Sequence, residues 1–413
     1  MDWRPVLDDF VAHWPVYVSM PFIAAIIGYV TKRVAIEMMF RPLGFVGIAR
    51  PVLGWQGVVP RNSARMIRIS ARLITSRLVD PKEIVERIDS DEVARRVQTP
   101  LLLTIDEIAR EVMARHHPQL WETLPVLAQD MIIKQVQAGA PELVRRIMDE
   151  IRENIGDVLD IEQVAVDALE RDKELLVRLV RDISRPEMAF IARCGIYFGF
   201  VLGLVQTAVW AITREPWVLP IFGAVIGWFT DWLAIKLVFF PRERTKILGV
   251  FPFQGVFQRR RAEVARQYGE LVAREVMTVP NLIEGILRGP RSDRLLMMIQ
   301  RIVRKTVDEQ ASIAKPFVAV AVGTRRFQEM KDAAATSAMA YLDATAMHAE
   351  PYASEALDIG NTIAMRMNKL SRVEYEGLLR PAFRQDEWKL IAVGAIIGFL
   401  VGHLQVLLLV PGH

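Results

Sequence analysis

Two charged residues stand inside apolar runs at matching places in the chain. Lys32 lies in "GYVTKRVAIEMMFRP", which begins at Gly28, and Asp231 lies in "GWFTDWLAIKLVFFP", which begins at Gly227, 199 positions later. A cation in one copy and an anion in the other can pair between helices, with Thr31 and Thr230 as neighbouring intramembrane polar and packing residues. A lone Asp in a membrane costs roughly 2.5–3.5 kcal/mol on insertion scales, and pairing would offset part of that. The competing reading sends Lys32 to the headgroups and gives Asp231 to Lys236 or to a wet crevice. Gln206 and Gln405 also occupy equivalent places, and His403 stands where its counterpart is Leu204. A histidine at that depth could relay protons. The simpler expectation is a neutral imidazole hydrogen-bonded to a neighbouring helix, at Gln206 or Gln405.

Other chemistry is hard to find. The chain has no phosphate loop, no H-E-x-x-H, no Cys-x-x-Cys and no G-x-S-x-G elbow. His116 and His117 are adjacent, about 100° apart on a helix, and so poorly placed to chelate one ion. The single cysteine, Cys194, excludes an intramolecular disulfide. No catalytic residue, metal or cofactor is expected, and the protein reads as not an enzyme.

The elements that must hold these residues are apolar helices. Of 413 residues, 52% are apolar and 24% charged, with mean hydropathy +0.22, so the two properties are segregated along the chain. Four runs approach the roughly 20 residues a spanning helix needs. The clearest is Leu390 to Val410, 21 residues interrupted only by His403 and Gln405. The first run is preceded by "MDWRPVLDDF" and lacks a small-residue cleavage site, which predicts an uncleaved membrane segment. Glycines recur every four residues at Gly195, Gly199 and Gly203, and again at Gly394, Gly398 and Gly402. Such stripes let backbones approach closely where lipid supplies no hydrophobic drive. Gly28, Thr31 and Ala35 share a face, as do Gly227, Thr230 and Ala234, and these two small faces are expected to meet.

The sequence therefore reads as an external N-terminal segment, 1–15, a first span with the motif, 16–40, a Gly/Pro-rich interfacial joint, 41–60, a helical arm, 61–188, and a second span, 189–213. The third span with the motif, 216–240, a second joint, 241–257, a second arm, 258–387, and a fourth span, 388–410, follow. Prolines 81, 100, 118, 125 and 141 divide the first arm, and prolines 280, 290, 316 and 351 the second, into helices of ordinary length. The fold class is all-α: an integral membrane protein with four transmembrane helices in two tandem parallel repeats, each with a long helical cytoplasmic arm. The two arms are expected to pack on each other.

An even number of spans per half puts both arms on one side. Residues 32–72 hold eight Lys or Arg against Glu37 alone, which places the arms in the cytoplasm and both termini outside. Arg61, Arg65, Arg68 and Arg72 form one helical stripe just after the first joint, suited to anionic headgroups, and Arg259, Arg260 and Arg261 are expected to repeat that contact. The expected partners are membrane lipids with anionic headgroups, with self-association or envelope proteins as further partners, and no nucleic acid.

The pattern G-x-x-T-x-x-x-A-I-x-x-x-F-x-P, followed by Q-G-V and a basic cluster, resembles bacterial membrane proteins of the YheB and YjiN type, a domain-of-unknown-function family. The resemblance covers nearly the whole chain, since the arms and the G-F-x-x-G-x-x-Q helices also fit. The family usually has Asn where this chain has Lys32 and Asp231, and proline where it has Gln258. The resemblance implies an integral protein of the bacterial inner membrane and supplies no reaction or substrate. The expected function is a non-catalytic protein of the cell envelope whose arms act as a scaffold or handle lipid. A transporter or channel for a small solute, ion or lipid, working as an oligomer, is the alternative.

Overall fold

The computed structural model describes residues 11, 13–49, 53–241, 243, 245–247, 251–310, 324–377 and 387–409. Most of segment 1–15, expected to be external, together with Pro316 and the last residue of the expected fourth span, lies outside the described residues. The chain divides into two compact units. One comprises residues 1–70, 172–268 and 364–413, and the other residues 71–171 and 269–363.

Four helices of the first unit are long and apolar enough to cross a membrane: Trp14–Phe40, Arg185–Thr213, Val218–Phe239 and Glu387–Leu409, spans 1 to 4. The shortest, at 22 residues, is about 33 Å long, enough for a hydrocarbon core of about 30 Å. Spans 1 and 3 both stop before a proline, Pro42 and Pro241, which cannot continue a helix. Span 2 ends where Arg214 turns left-handed, φ 53°, and the short turn to span 3 begins. Span 1 packs along span 2, span 3 along span 4, and span 2 also touches span 3. Small residues such as Ala24, Gly28, Ala35 and Ala234 face inward, while Phe22, Ile26, Val201, Val225 and Leu400 face out. That distribution suits a bundle surrounded by lipid.

Each joint folds into a two-stranded antiparallel hairpin, β1 (Val46–Ala49) with β2 (Leu53–Trp55) and β3 (Thr245–Ile247) with β4 (Phe251–Phe253). These short hairpins are the departure from an otherwise helical structure among the described residues. The base of each is closed by the same backbone bond, Gly57 N–H to the Pro42 carbonyl and Gly255 N–H to the Pro241 carbonyl, both 3.0 Å. In the first, the Trp55 indole also donates to the Met38 carbonyl at 3.2 Å, tying hairpin to span end.

The second unit is helical, and segments 71–171 and 269–363 share one core. Helix Ala140–Val158 places Leu143, Ile147 and Ile151 four apart, and this stripe packs with Leu295, Ile299 and Ile302 of helix Ser292–Gln310. The short helices Pro81–Val85 and Val279–Arg288 open alike, each capped by a side-chain oxygen, Asp80 accepting from the Lys82 N–H and Thr278 from the Asn281 N–H. Each follows a π-helical turn, Ile74–Leu78 or Val272–Val276. Pro100 departs from expectation: it lies inside helix Ser90–His116 and does not divide it. An interior proline costs about 3 kcal/mol, and buried Val97, Ile108 and Val112 on either side hold the helix continuous.

The core of this unit surrounds a cavity of about 240 Å³, partly open, with walls of aliphatic side chains and the single hydroxyl of Thr345.

Candidate functional site

The polar centre of the first unit is built by spans 1 and 3. Lys32 and Asp231 each lie eight residues, about 12 Å, from the C-terminal end of their helix or its last turn. From that depth the Lys32 side chain does not run to the surface. It is fully buried, and its ammonium donates to the Thr230 hydroxyl at 2.9 Å and to Asp231 Oδ1. The Thr230 hydroxyl in turn donates to the Ile226 carbonyl at 2.6 Å, and that of Thr31 to the Gly28 carbonyl at 3.1 Å. Asp231 Oδ2 is buried with no hydrogen-bond partner among the described residues. It lies against Gly394, where any side chain would occupy the same space as the carboxylate. Gln206 and Gln405 form a second polar contact, Nε2 of Gln206 donating to Oε1 of Gln405 at 3.3 Å. Removing one member of a buried pair leaves a bare charge and typically costs 3–5 kcal/mol, whereas a single interhelical hydrogen bond in a membrane averages about 0.6 kcal/mol. The ion pair is therefore the dominant polar interaction of this bundle.

His403 is not part of this centre. Gly402, Gln405 and Val406 face inward, at i, i+3 and i+4, which turns the intervening His403 to the exposed side of span 4. The expected bond to Gln206 or Gln405 is corrected accordingly, because the two glutamines bond each other. The glycines of the two motif helices do not meet one another either. Gly28 packs on Gly195 and Gly227 on Gly394, so each motif helix meets the glycine stripe of its own half. A Cβ at Gly199 would stand 2.7 Å from the Ala24 carbonyl oxygen, and one at Gly402 would stand 2.7 Å from Pro220 Cα. Gly203 abuts Pro21 and Ala24, and Gly398 abuts Gly223. Backbone touches backbone along both stripes.

On the helix Ser63–Leu73 and the turn before it, Arg61, Arg65, Arg68 and Arg72 are all exposed, opposite buried Met66, Ile67, Ala71 and Ile74. The second half differs. Arg259 is exposed, but Arg260 is held by Glu187 at 2.7 Å and Glu263 at 2.8 Å. The hydrogen bonds that Arg260 donates to Glu263 hold its pKa above its ordinary value against the effect of burial, and the bond it donates to Glu187 adds to them. Arg261 donates to the carbonyls of Met367, Asn368 and Leu370, closing the C-terminal end of helix Ile359–Lys369, and lies over the Tyr375 ring. Arg260 and Arg261 are thus internal ties, which corrects their expected headgroup role. The Glu187–Arg260 pair leaves no local trace in the sequence, as its members are 73 residues apart and Glu187 sits in no repeated motif. Among the described residues no group of three or more His, Cys, Asp or Glu could hold a metal ion.

A bundle of four apolar helices closed by glycine contacts and a buried ion pair defines a helical membrane protein. The family described as "Protein of unknown function (DUF445)" matches residues 22–155. Over 97% of this chain and the full length of the relative, the sequence is 23% identical to a UPF0754 membrane protein of Synechococcus sp. (strain JA-3-3Ab). It is 22% identical, with the same coverage, to a UPF0754 membrane protein of a second Synechococcus strain, JA-2-3B'a(2-13). A shorter stretch of 116 residues, 27% of this chain and 26% of the relative, is 34% identical to the UPF0754 membrane protein Npun_R4433 of Nostoc punctiforme. These matches support a bacterial membrane-protein family of unknown function, consistent with the resemblance to the YheB and YjiN type. No solved structure matches the chain.

Proposed function

We propose that the protein is a non-catalytic protein of the bacterial inner membrane, built from two tandem parallel repeats whose cytoplasmic helical arms handle lipid at the inner leaflet. The observation that carries this reading is the exposed stripe Arg61, Arg65, Arg68 and Arg72, which follows span 1 and its hairpin directly. Each such cation near an anionic surface contributes about 1 kcal/mol, screened by salt over about 10 Å at 0.1 M. In full-length protein reconstituted in mixed anionic and neutral bilayers, replacing all four with Gln is expected to abolish local enrichment of anionic lipid, most visibly at low salt. Equal enrichment in variant and wild type would assign the stripe to plain solvation.

The topology makes a second prediction. A reporter fused after His413 is expected to read as periplasmic and one inserted near Gly139 as cytoplasmic. If both report the same compartment, the parallel-repeat reading is wrong.

A transporter or channel working as an oligomer is the second reading, favoured by the buried Lys32–Asp231 pair and the Gln206–Gln405 contact within the bundle. Solute or ion flux in proteoliposomes that disappears with Lys32→Met, while the protein remains folded, would move the balance to it.

A further inference from the structure

We propose that the cavity of the second unit is a binding site for one long aliphatic chain carrying an anionic head, the chain inside the wall and the head at its rim. This rests on the lipid-handling reading and names the ligand of that function.

The wall decides the chemistry of what it holds. Val97, Leu101, Ile147, Ile151, Ile286 and Leu342 are representative of it, and among the lining residues there is no charge, no aromatic ring and only the Thr345 hydroxyl. Water needs two to four polar partners to occupy a buried site, and this wall offers one. A designed apolar cavity of about 150 Å³ stays dry and takes up benzene, and this one is larger, at about 240 Å³. Polar metabolites and aromatic cofactors find neither hydrogen bonds nor stacking here, whereas a flexible methylene chain needs only dispersion contact. Both sequence segments of the unit, 71–171 and 269–363, contribute to the wall, so an occupant would bridge them.

The rim supplies the charge. Arg87 donates to the carbonyl of Leu357 at 3.0 Å and Arg152 to the carbonyl of Ile88 at 2.8 Å, and both acceptors belong to wall residues. Each guanidinium has one carboxylate partner, Glu83 for Arg87 and Asp149 for Arg152. Nε of Arg152 is buried and has no hydrogen-bond partner among the described residues, so the cation is incompletely satisfied beside the rim, and guanidinium is the group that best recognises a carboxylate or phosphate. A free fatty acid and the acyl chain of an anionic phospholipid share this chemistry.

The test uses the full-length protein, delipidated in detergent, with doxyl-labelled stearic acid as probe. Wild type is expected to give an immobilised spin signal, and Ile147→Trp, which fills the cavity, to weaken binding at least about tenfold with unchanged helix content. Ala346→Leu, a smaller addition to the same wall, serves if the Trp variant does not fold, and Arg152→Gln is expected to weaken binding of the charged probe but not of its methyl ester. Competition by unlabelled oleate against phosphatidylglycerol separates the two sources of the chain. The Arg61, Arg65, Arg68 and Arg72→Gln protein is expected to retain the immobilised signal, so loss of surface lipid enrichment and loss of cavity binding are read independently. No immobilised signal in wild type, or the same signal in the folded cavity-filled variants, overturns the proposal.

Discussion

Lys32→Asp or Asp231→Lys alone is expected to leave little folded protein in the membrane, and the double exchange to restore much of it. Each single change puts two like charges together in a site where Lys32 is fully buried and Asp231 nearly so. At 3–5 kcal/mol, the loss corresponds to a drop of a hundredfold or more in the folded-to-unfolded ratio. The exchanged pair regains opposite charges, although recovery is expected to be incomplete. Lys at position 231 must fit beside Gly394, where only the compact carboxylate now lies. Thr230→Val removes one hydrogen-bond partner of the ammonium and should cost far less, on the order of 1 kcal/mol. Monodisperse protein recovered in mild detergent, with its thermal midpoint, measures all four. A double mutant no better than the worse single mutant would falsify the coupling.

A single added methyl is expected to do comparable damage at the glycine contacts. Gly28→Ala and Gly195→Ala each drive a Cβ into the opposing backbone, where no side chain can rotate away. Overpacking of this kind costs about 1–3 kcal/mol or more, and here the whole length of spans 1 and 2 must separate to relieve it. Because one separation accommodates both methyls, the double mutant should cost less than the sum of the singles. Gly156→Ala is the contrasting case. Nothing lies within 4 Å of a Cβ there, the residue sits in the last turn of helix Ala140–Val158 just past a break at Asn154, and the change should alter stability by no more than about 0.5 kcal/mol. Thermal unfolding of the four variants separates close packing from generic glycine effects. Equal tolerance at Gly28 and Gly156 would refute the packing account.

What the residues announce in advance follows from how each interaction is encoded. The spans are visible because length and hydropathy are local properties, and Lys32 and Asp231 are visible because duplication aligns them at an offset of 199. The glycine stripe reveals that a backbone approaches Gly195, but not which helix supplies it, since a stripe marks only one side of a contact. The face of His403 was open to inference from Gly402 and Gln405, yet depth in the membrane drew more weight than rotation about the axis. The hairpins escaped notice because strands of three and four residues are too short to show alternation. The Glu187–Arg260 tie and the aliphatic cavity arise from packing between distant segments, which no local pattern records.

The Lys32–Asp231 contact also imposes a schedule on synthesis. Span 1 leaves the ribosome with its ammonium about 200 residues ahead of the carboxylate, an interval on the order of 10–40 s at 5–20 residues per second. During that time the ion pair cannot form, and the Lys32 ammonium acquires its buried partner only when span 3 arrives. Neither half can take that step with a duplicate of itself, since two first halves would oppose ammonium to ammonium and two second halves carboxylate to carboxylate. The ion pair therefore makes each half the partner of the other and not of its own duplicate, and it forms only after the second half is made.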